Sequence, residues 1–299
     1  MPSVSAIFLL IIYVCQSLVG TAASAFIVAV NLVSWAKGTA LTPNDQILLS
    51  LGLSSLCVQG TSATGMFSFF CSFTQEIGTF FWLFFSNVSL WCATWLNIFY
   101  CVKVTNFPHH LFLWLKLRID VLGPRLLGMV VIALMLFSVH PTILYFENKK
   151  LCNLSGTLAW NASLNKVCHD PYFLFRTLHI CFLCMSFILS VMASMVLLVS
   201  LWRHRKNMKK SGSVIKDLST QVYLNVMKSL LFSLFFGITY FAAVIIPTAN
   251  LGWYGTNSQL VIDIVLSAVP SAHTMILILS NPKLKEILMH ILHIRRRAT

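Results

Sequence analysis

Ser86 to Ile119 reads SNVSLWCATWLNIFYCVKVTNFPHHLFLWLKLRI. Up to Val102 the run carries no charged side chain and is rich in Leu, Trp and Phe. Lys103 closes it, Asn106-Phe107-Pro108 follows, and then comes an aromatic and basic run with Trp114, Lys116 and Arg118. An apolar helix that turns abruptly into basic and aromatic residues is the mark of a membrane span meeting its aqueous boundary. The second half, LFLWLKLRI, is read as an aromatic and basic loop on that boundary.

Working outward, the rest of the chain has the same character. It is 58% hydrophobic and 10% charged, whereas soluble chains hold about 45–50% apolar and about 25% charged residues. Met1 to Ala36 has no charged side chain, and its apolar run is too long, and lacks the basic start, for a cleaved signal peptide. It reads as a retained membrane anchor. A bilayer core takes about 20 apolar residues per helix. Runs that meet or approach this length lie near 6–34, 46–70, 79–105, 125–146, 177–202, 224–248 and 259–280. Backbone polar groups in lipid must pair within the segment, so these are helices. The expected fold is an all-α membrane protein, a seven-transmembrane helix bundle forming a single domain over 1–299.

Lysines and arginines set the orientation. Lys37, Lys103, Lys116, Arg118, the cluster from Arg203 to Lys216, Lys228 and Arg295–Arg297 fall on one side, whereas the other holds only Lys149, Lys150, Lys166 and Arg176. The positive-inside rule places the rich side in the cytoplasm and the N-terminus outside. Topology and anionic membrane lipid account for the net charge of +13 without nucleic acid. The sequons at Asn153 and Asn161 fall in the long outer loop, around 147–176, and are candidate glycosylation sites. Asn87-Val-Ser89 also matches the sequon but lies inside an apolar helix.

Most of the nine cysteines lie in apolar runs, where cysteine behaves as a small hydrophobe. Cys152 and Cys168 share the outer loop, where oxidation is permitted, and a bridge and two free thiols both remain open. The inner loop around 203–221 is a basic patch beside the membrane. After the seventh run, Asn281-Pro282-Lys283 supplies an N-cap followed by a proline at the first helical position. Leu284, Ile287, Leu288, Ile291 and Leu292 then share one face. The expected element is a short amphipathic helix on the inner membrane surface, within a cytoplasmic tail over 281–299.

Seven helices with an outer N-terminus outline a G-protein-coupled receptor. Rhodopsin-like landmarks are missing: helix 3 ends Phe99-Tyr100-Cys101-Val102-Lys103 rather than with an acidic-Arg-aromatic triplet, and helix 7 ends SNPKLK rather than Asn-Pro-x-x-Tyr. The chain resembles instead the type 2, or bitter, taste receptors. The likeness rests on Trp82, SLWCATWLNIFYCVKVTNF, LFLWLKLRI, SLWRHRKNM, DLSTQ with Lys228, and PSAHTMILILSNPKLK, in that order over nearly the whole chain. Three positions depart from the family pattern: Ser24 where Asn is usual, Ser55 where Arg is usual, and Tyr223 where His is common.

The resemblance implies a multi-pass plasma-membrane chemoreceptor that detects bitter small molecules from outside. It also implies signalling through a heterotrimeric G protein, gustducin or another inhibitory type. The sequence offers no membrane catalytic pair, such as two Asp or a Ser-His arrangement on facing helices, so no enzymatic chemistry, cofactor or metal is expected. Trp82, Ser86 and Ser89 share a helical face with Asn87 beside it, and a helix 3 Trp at this place commonly contacts ligand in the family. The alternative for Trp82 is an aromatic belt residue at the interface; the resemblance favours the pocket. Tyr240 matches a family tyrosine that faces the pocket. Asp263, seven positions before Pro270, matches a family acidic residue and is a chemical outlier in an apolar helix. It could accept from a ligand hydroxyl or attract a basic agonist, or it could pin the outer loop through Arg176. Tyr100, Lys103, His204 and Lys228 are the candidate switch and coupling residues. His273 reads as a packing residue, since it has no Cys or His at ligand spacing. The alternatives are another sensory receptor, such as a vomeronasal type 1 receptor, and a transporter or channel. A transporter calls for paired intramembrane charges or broken helices, which the sequence does not show.

Overall fold

The computed structural model describes residues 4–67, 72–105, 110–154, 173–210, 216–248 and 256–292. These form α1 (Val4–Ala36), α2 (Pro43–Phe67), α3 (Ser72–Val104), α4 (His110–Leu154), α5 (Phe173–Lys210), α6 (Lys216–Thr248), α7 (Thr256–Ser280) and α8 (Pro282–Ile291). Among the described residues five helices, α1, α3, α4, α5 and α7, are long and apolar enough to cross a membrane. Leu230–Ile246 of α6 is a shorter apolar stretch.

α2 reaches comparable length with a more polar surface, and the bundle absorbs that polarity. Ser54 donates to its own helix at Leu51 O, Ser55 meets Ser89 of α3 at 3.3 Å, and Gln59 donates to α7. Polar groups in a membrane helix are held where neighbouring helices pair them.

α3 is the central element and packs on α2, α4 and α5; α1 closes onto α2 and α7, and α6 stands between α5 and α7. The main core gathers Ile27, Leu48, Leu51, Trp91, Leu96, Phe99 and Ile119 between α1, α2, α3 and α4. Exposed Phe8, Leu18, Ile132, Leu136, Ile188 and Met192 form the outer faces of α1, α4 and α5, as lipid-facing surfaces require.

The basic end of the bundle differs from the sequence expectation. LFLWLKLRI is no loop: it is the first part of α4, which begins at His110. α5 carries the basic cluster as helix to Lys210, and α6 already starts at Lys216. Charge marked these residues as extramembrane, but Leu, Lys and Arg are good helix formers and nothing from His110 to Leu122 breaks a helix. At the other end, α4 likewise continues through the first residues of the expected outer loop, to Leu154.

α8 forms where the cap pattern places it. Asn281 has extended backbone (φ −84, ψ 116), and its side chain accepts from the amides of Lys283 (3.0 Å) and Leu284 (3.4 Å). Leu284 is buried in the main core and Leu288 packs against it, whereas Ile291 and Leu292 are exposed. Lys283 reaches back to Asp45, at the start of α2, at 3.1 Å.

Candidate functional site

α3 packs directly on α5, while α6 and α7 stand off from it, and a cleft of about 650 Å³ including its open mouth fills the gap. Each wall is one helical stripe with spacing of three and four residues. α3 contributes Ser86, Ser89, Leu90, Ala93 and Thr94. α5 contributes Leu183, Ser186, Phe187 and Ser190. α6 contributes Ser233, Phe236, Gly237 and Tyr240, and α7 contributes Val269, Pro270 and His273. The cleft exists because small side chains meet across it. Ser86, Ser89 and Ala93 on α3 and Gly237 on α6 all line it, and their small side chains leave the space open.

Most of its polar groups are already engaged. Thr94 donates to Leu90 O and to Ser186 O (2.9 and 3.2 Å), and Ser186 donates to Leu183 O (3.0 Å). Asn97 donates to Ser190 Oγ at 2.8 Å. Ser89 pairs with Ser55, and Ser233 with His273 Nε2, both at 3.3 Å. Ser86 Oγ and the Tyr240 hydroxyl are different. They lie close enough to interact but not in hydrogen-bonding geometry, and neither has another partner among the described residues. Ser86 is 3% exposed and Tyr240 1% exposed.

The sequence-predicted residues separate in space. Ser86, Ser89 and Tyr240 line the cleft. Trp82 lies one turn beyond Ser86 and packs on the cluster of Leu183, Tyr240, Leu266 and Val269 without lining the cleft itself. Asn87 turns the other way: its amide donates to Nδ1 of buried His179 on α5 at 2.8 Å. Asp263 is exposed, two turns from Pro270 and about 10 Å along α7, and is not part of the lining. Its carbonyl accepts from Ser267 Oγ at 2.9 Å. His179, Ser186, Phe187, Ser190 and Ser233 were not singled out from sequence. Their only local signal is a polar or aromatic residue recurring at helical spacing in an apolar run.

Comparison with known proteins decides the family. A model described as "Taste receptor protein (TAS2R)" matches residues 1–296. Taste receptor type 2 member 7 of Rattus norvegicus is 31% identical over 299 residues, covering 95% of this chain and 94% of that protein. Taste receptor type 2 member 2 of Homo sapiens is 30% identical over 305 residues, covering 99% of both chains. The chain belongs to the taste receptor type 2 family. It is a bitter taste receptor of the G-protein-coupled class, a multi-pass membrane protein and not an enzyme. A crystal structure of squid rhodopsin superposes with a TM-score of 0.54 at 13% identity, covering 97% of this chain and 86% of that one. That likeness places this taste receptor in the rhodopsin-like seven-helix fold.

At the basic end of this taste receptor, Lys103 pairs with Asp120 of α4 at 3.0 Å and lies 5.1 Å from the centroid of the Phe99 ring. Tyr100 packs between the main core and the cluster of Cys101, Leu197, Leu201 and Leu230 shared by α3, α5 and α6. His204 and Lys228 are on α5 and α6, outside the residues whose side chains are described, as are Cys152, Asn153 and Arg176. Asn161 and Cys168 lie outside the described residues. Among the described residues no cluster of His, Cys, Asp or Glu could hold a metal ion.

Proposed function

We propose that a bitter small molecule binds in the cleft between α3, α5, α6 and α7, entering from the end opposite the basic one. The basic end then faces the cytoplasm and engages a heterotrimeric G protein, gustducin or another inhibitory type. The whole chain works as one receptor unit at the plasma membrane. The observation that carries this reading is the cleft itself: four helices converge on it, and its α3–α5 wall continues toward Tyr100 and Lys103 through the bonds of Thr94 and Asn97. A ligand that prefers one spacing of α3, α5 and α6 biases the equilibrium between arrangements of their basic ends. Tyr100, packed on both clusters, is placed to feel that spacing, and Lys103 stands at the surface where a G protein docks.

The test is calcium release in cells that express the receptor with a promiscuous G protein, challenged with a panel of bitter compounds. Agonist responses that disappear when the cleft is filled support the reading. Responses that survive filling remove it.

A further inference from the structure

Any molecule that enters the cleft meets a wall with no charged side chain among its described residues. Its polar groups are mostly spent on one another: Ser89 on Ser55, Ser186 on Leu183 O, Ser190 on Asn97, and Ser233 on His273. The buried exception is the facing pair of Ser86 Oγ and Tyr240 OH. Two buried hydroxyls that meet only each other, and not in good geometry, keep unmet hydrogen-bonding capacity in an apolar interior. A hydroxyl can donate and accept, so together they match a single ligand group that takes one bond and gives or takes another. The remaining surface is Leu90, Ala93, Leu183, Phe187, Phe236 and Val269.

We infer that this cleft selects an uncharged, largely apolar ligand carrying one hydroxyl or carbonyl group, which sits between Ser86 and Tyr240. This rests on the cleft being the agonist site. A cation in the cleft would be desolvated with no counter-charge, because Asp263, the acidic residue of α7, stands about 10 Å further along the helix, outside the lining. Asp263 is therefore no part of the selection.

The experiment is a functional screen of the full chain with two matched arms. One holds uncharged hydroxy- and keto-aromatics, such as naphthylmethanol and acetylnaphthalene and larger homologues. The other holds their trimethylammonium analogues. Activation by the uncharged arm is expected. Ser86→Ala and Tyr240→Phe should each raise the half-maximal concentration about three- to tenfold, the loss of a single neutral hydrogen bond. Asp263→Asn should leave it unchanged. Gly237→Leu should abolish the response at normal surface expression. The Gly237 position accepts a Cβ in ordinary contact with Phe187 at 3.9 Å, so the added bulk goes into the cleft.

Silence of the uncharged arm, or activation by the trimethylammonium arm that Gly237→Leu blocks, overturns the inference. If uncharged agonists act and Gly237→Leu abolishes them while Ser86→Ala and Tyr240→Phe change nothing, the hydroxyl pair is refuted and the cleft survives as the site. If uncharged agonists act in the Gly237→Leu receptor, the cleft is not the site.

Discussion

Gln59 of α2 donates through Nε2 to the backbone carbonyl of Ser267 on α7 at 3.1 Å, and to Ser271 Oγ at 2.7 Å. Pro270 lies between these serines and withholds the backbone donor that Leu266 O would otherwise receive. Gln59 does not reach Leu266 O itself; it ties the turns on either side of the proline to α2. From α1, Gln16 grips the same segment, donating to Ile264 O at 2.9 Å and to Ser267 Oγ. Two glutamines thus hold the proline segment of α7 against α1 and α2.

Replacing Gln59 with Met keeps the volume and removes both bonds. The expected loss is about 1–2 kcal/mol, read as a lowered melting temperature of the detergent-solubilised receptor. Ser50→Ala is the control, because that hydroxyl only bonds back to Gln46 O in its own helix. Equal melting of the two variants would show that Gln59 does not secure α7.

The same seam requires glycine at position 20. A Cβ there would lie 1.9 Å from Ser271 Oγ and 2.6 Å from Ser271 Cβ, so rotating the hydroxyl away cannot relieve the clash. Gly20→Ala should lower stability by about 1–3 kcal/mol, the usual cost of overpacking. Ser271→Gly in the same chain should recover folded yield, measured by surface labelling. A double variant no better than Gly20→Ala alone would place the defect elsewhere.

Ser24 and Ser55 stand where the family usually keeps Asn and Arg, and each is 1% exposed. Ser24 Oγ has no partner among the described residues, and Ser55 holds Ser89. α1 and α2 approach closely beside them, since a Cβ on Gly52 would stand 3.4 Å from Ser24 O. Ser55→Arg alone buries an unpaired charge in the membrane and should impair signalling. Ser24→Asn adds an amide acceptor and should restore part of it. Equal dose–response curves for the single and double variants at matched expression would end the idea that the two positions act as a pair.

What the sequence disclosed depended on how local the signal was. Asn281-Pro282 announces α8 because the cap and the helix it starts are neighbours. Ser86 and Ser89 could be placed on one face because helical spacing is local arithmetic. The continuation of α4 and α5 at the basic end is not legible in the charge pattern, because charge marks the limit of the lipid and not the limit of the helix. Ser186 was invisible as a cleft residue since a serine in a membrane helix bonds back to its own turn, at Leu183 O, whichever way it faces. Gln59 could not be linked to Ser267, nor Asn87 to His179, because the partners are 208 and 92 positions apart.

Asn87 also makes a prediction about glycosylation. It lies within the membrane span Ile77–Lys103, away from the outer surface where the transferase acts, and in the folded bundle it is 7% exposed and bonded to His179. Asn153→Gln with Asn161→Gln should abolish the shift in gel mobility caused by glycosidase, and Asn87→Gln should leave that shift intact. A residual shift in the double variant that disappears with Asn87→Gln would contradict the burial of this residue.

Two ion pairs of nearly equal length at the basic end should differ in worth. Lys103–Asp120 spans 3.0 Å with both side chains about half exposed (53% and 51%). Exposed pairs contribute about 0–1 kcal/mol, because water screens them and two long side chains must be held still. Lys283–Asp45 spans 3.1 Å, but the Asp45 side chain is only 9% exposed. Removing Lys283 leaves a nearly buried carboxylate without its partner, whereas removing both charges does not. Lys283→Met should therefore cost more stability than Asp45→Asn with Lys283→Met, with a coupling of about 1–3 kcal/mol after allowing for the half-exposed lysine. Lys103→Met should show almost none in the same melting assay. If Lys103 is a coupling residue, its loss will appear instead in the G-protein response at normal surface expression. An unchanged response there would leave Lys103 as a surface ion pair and nothing more.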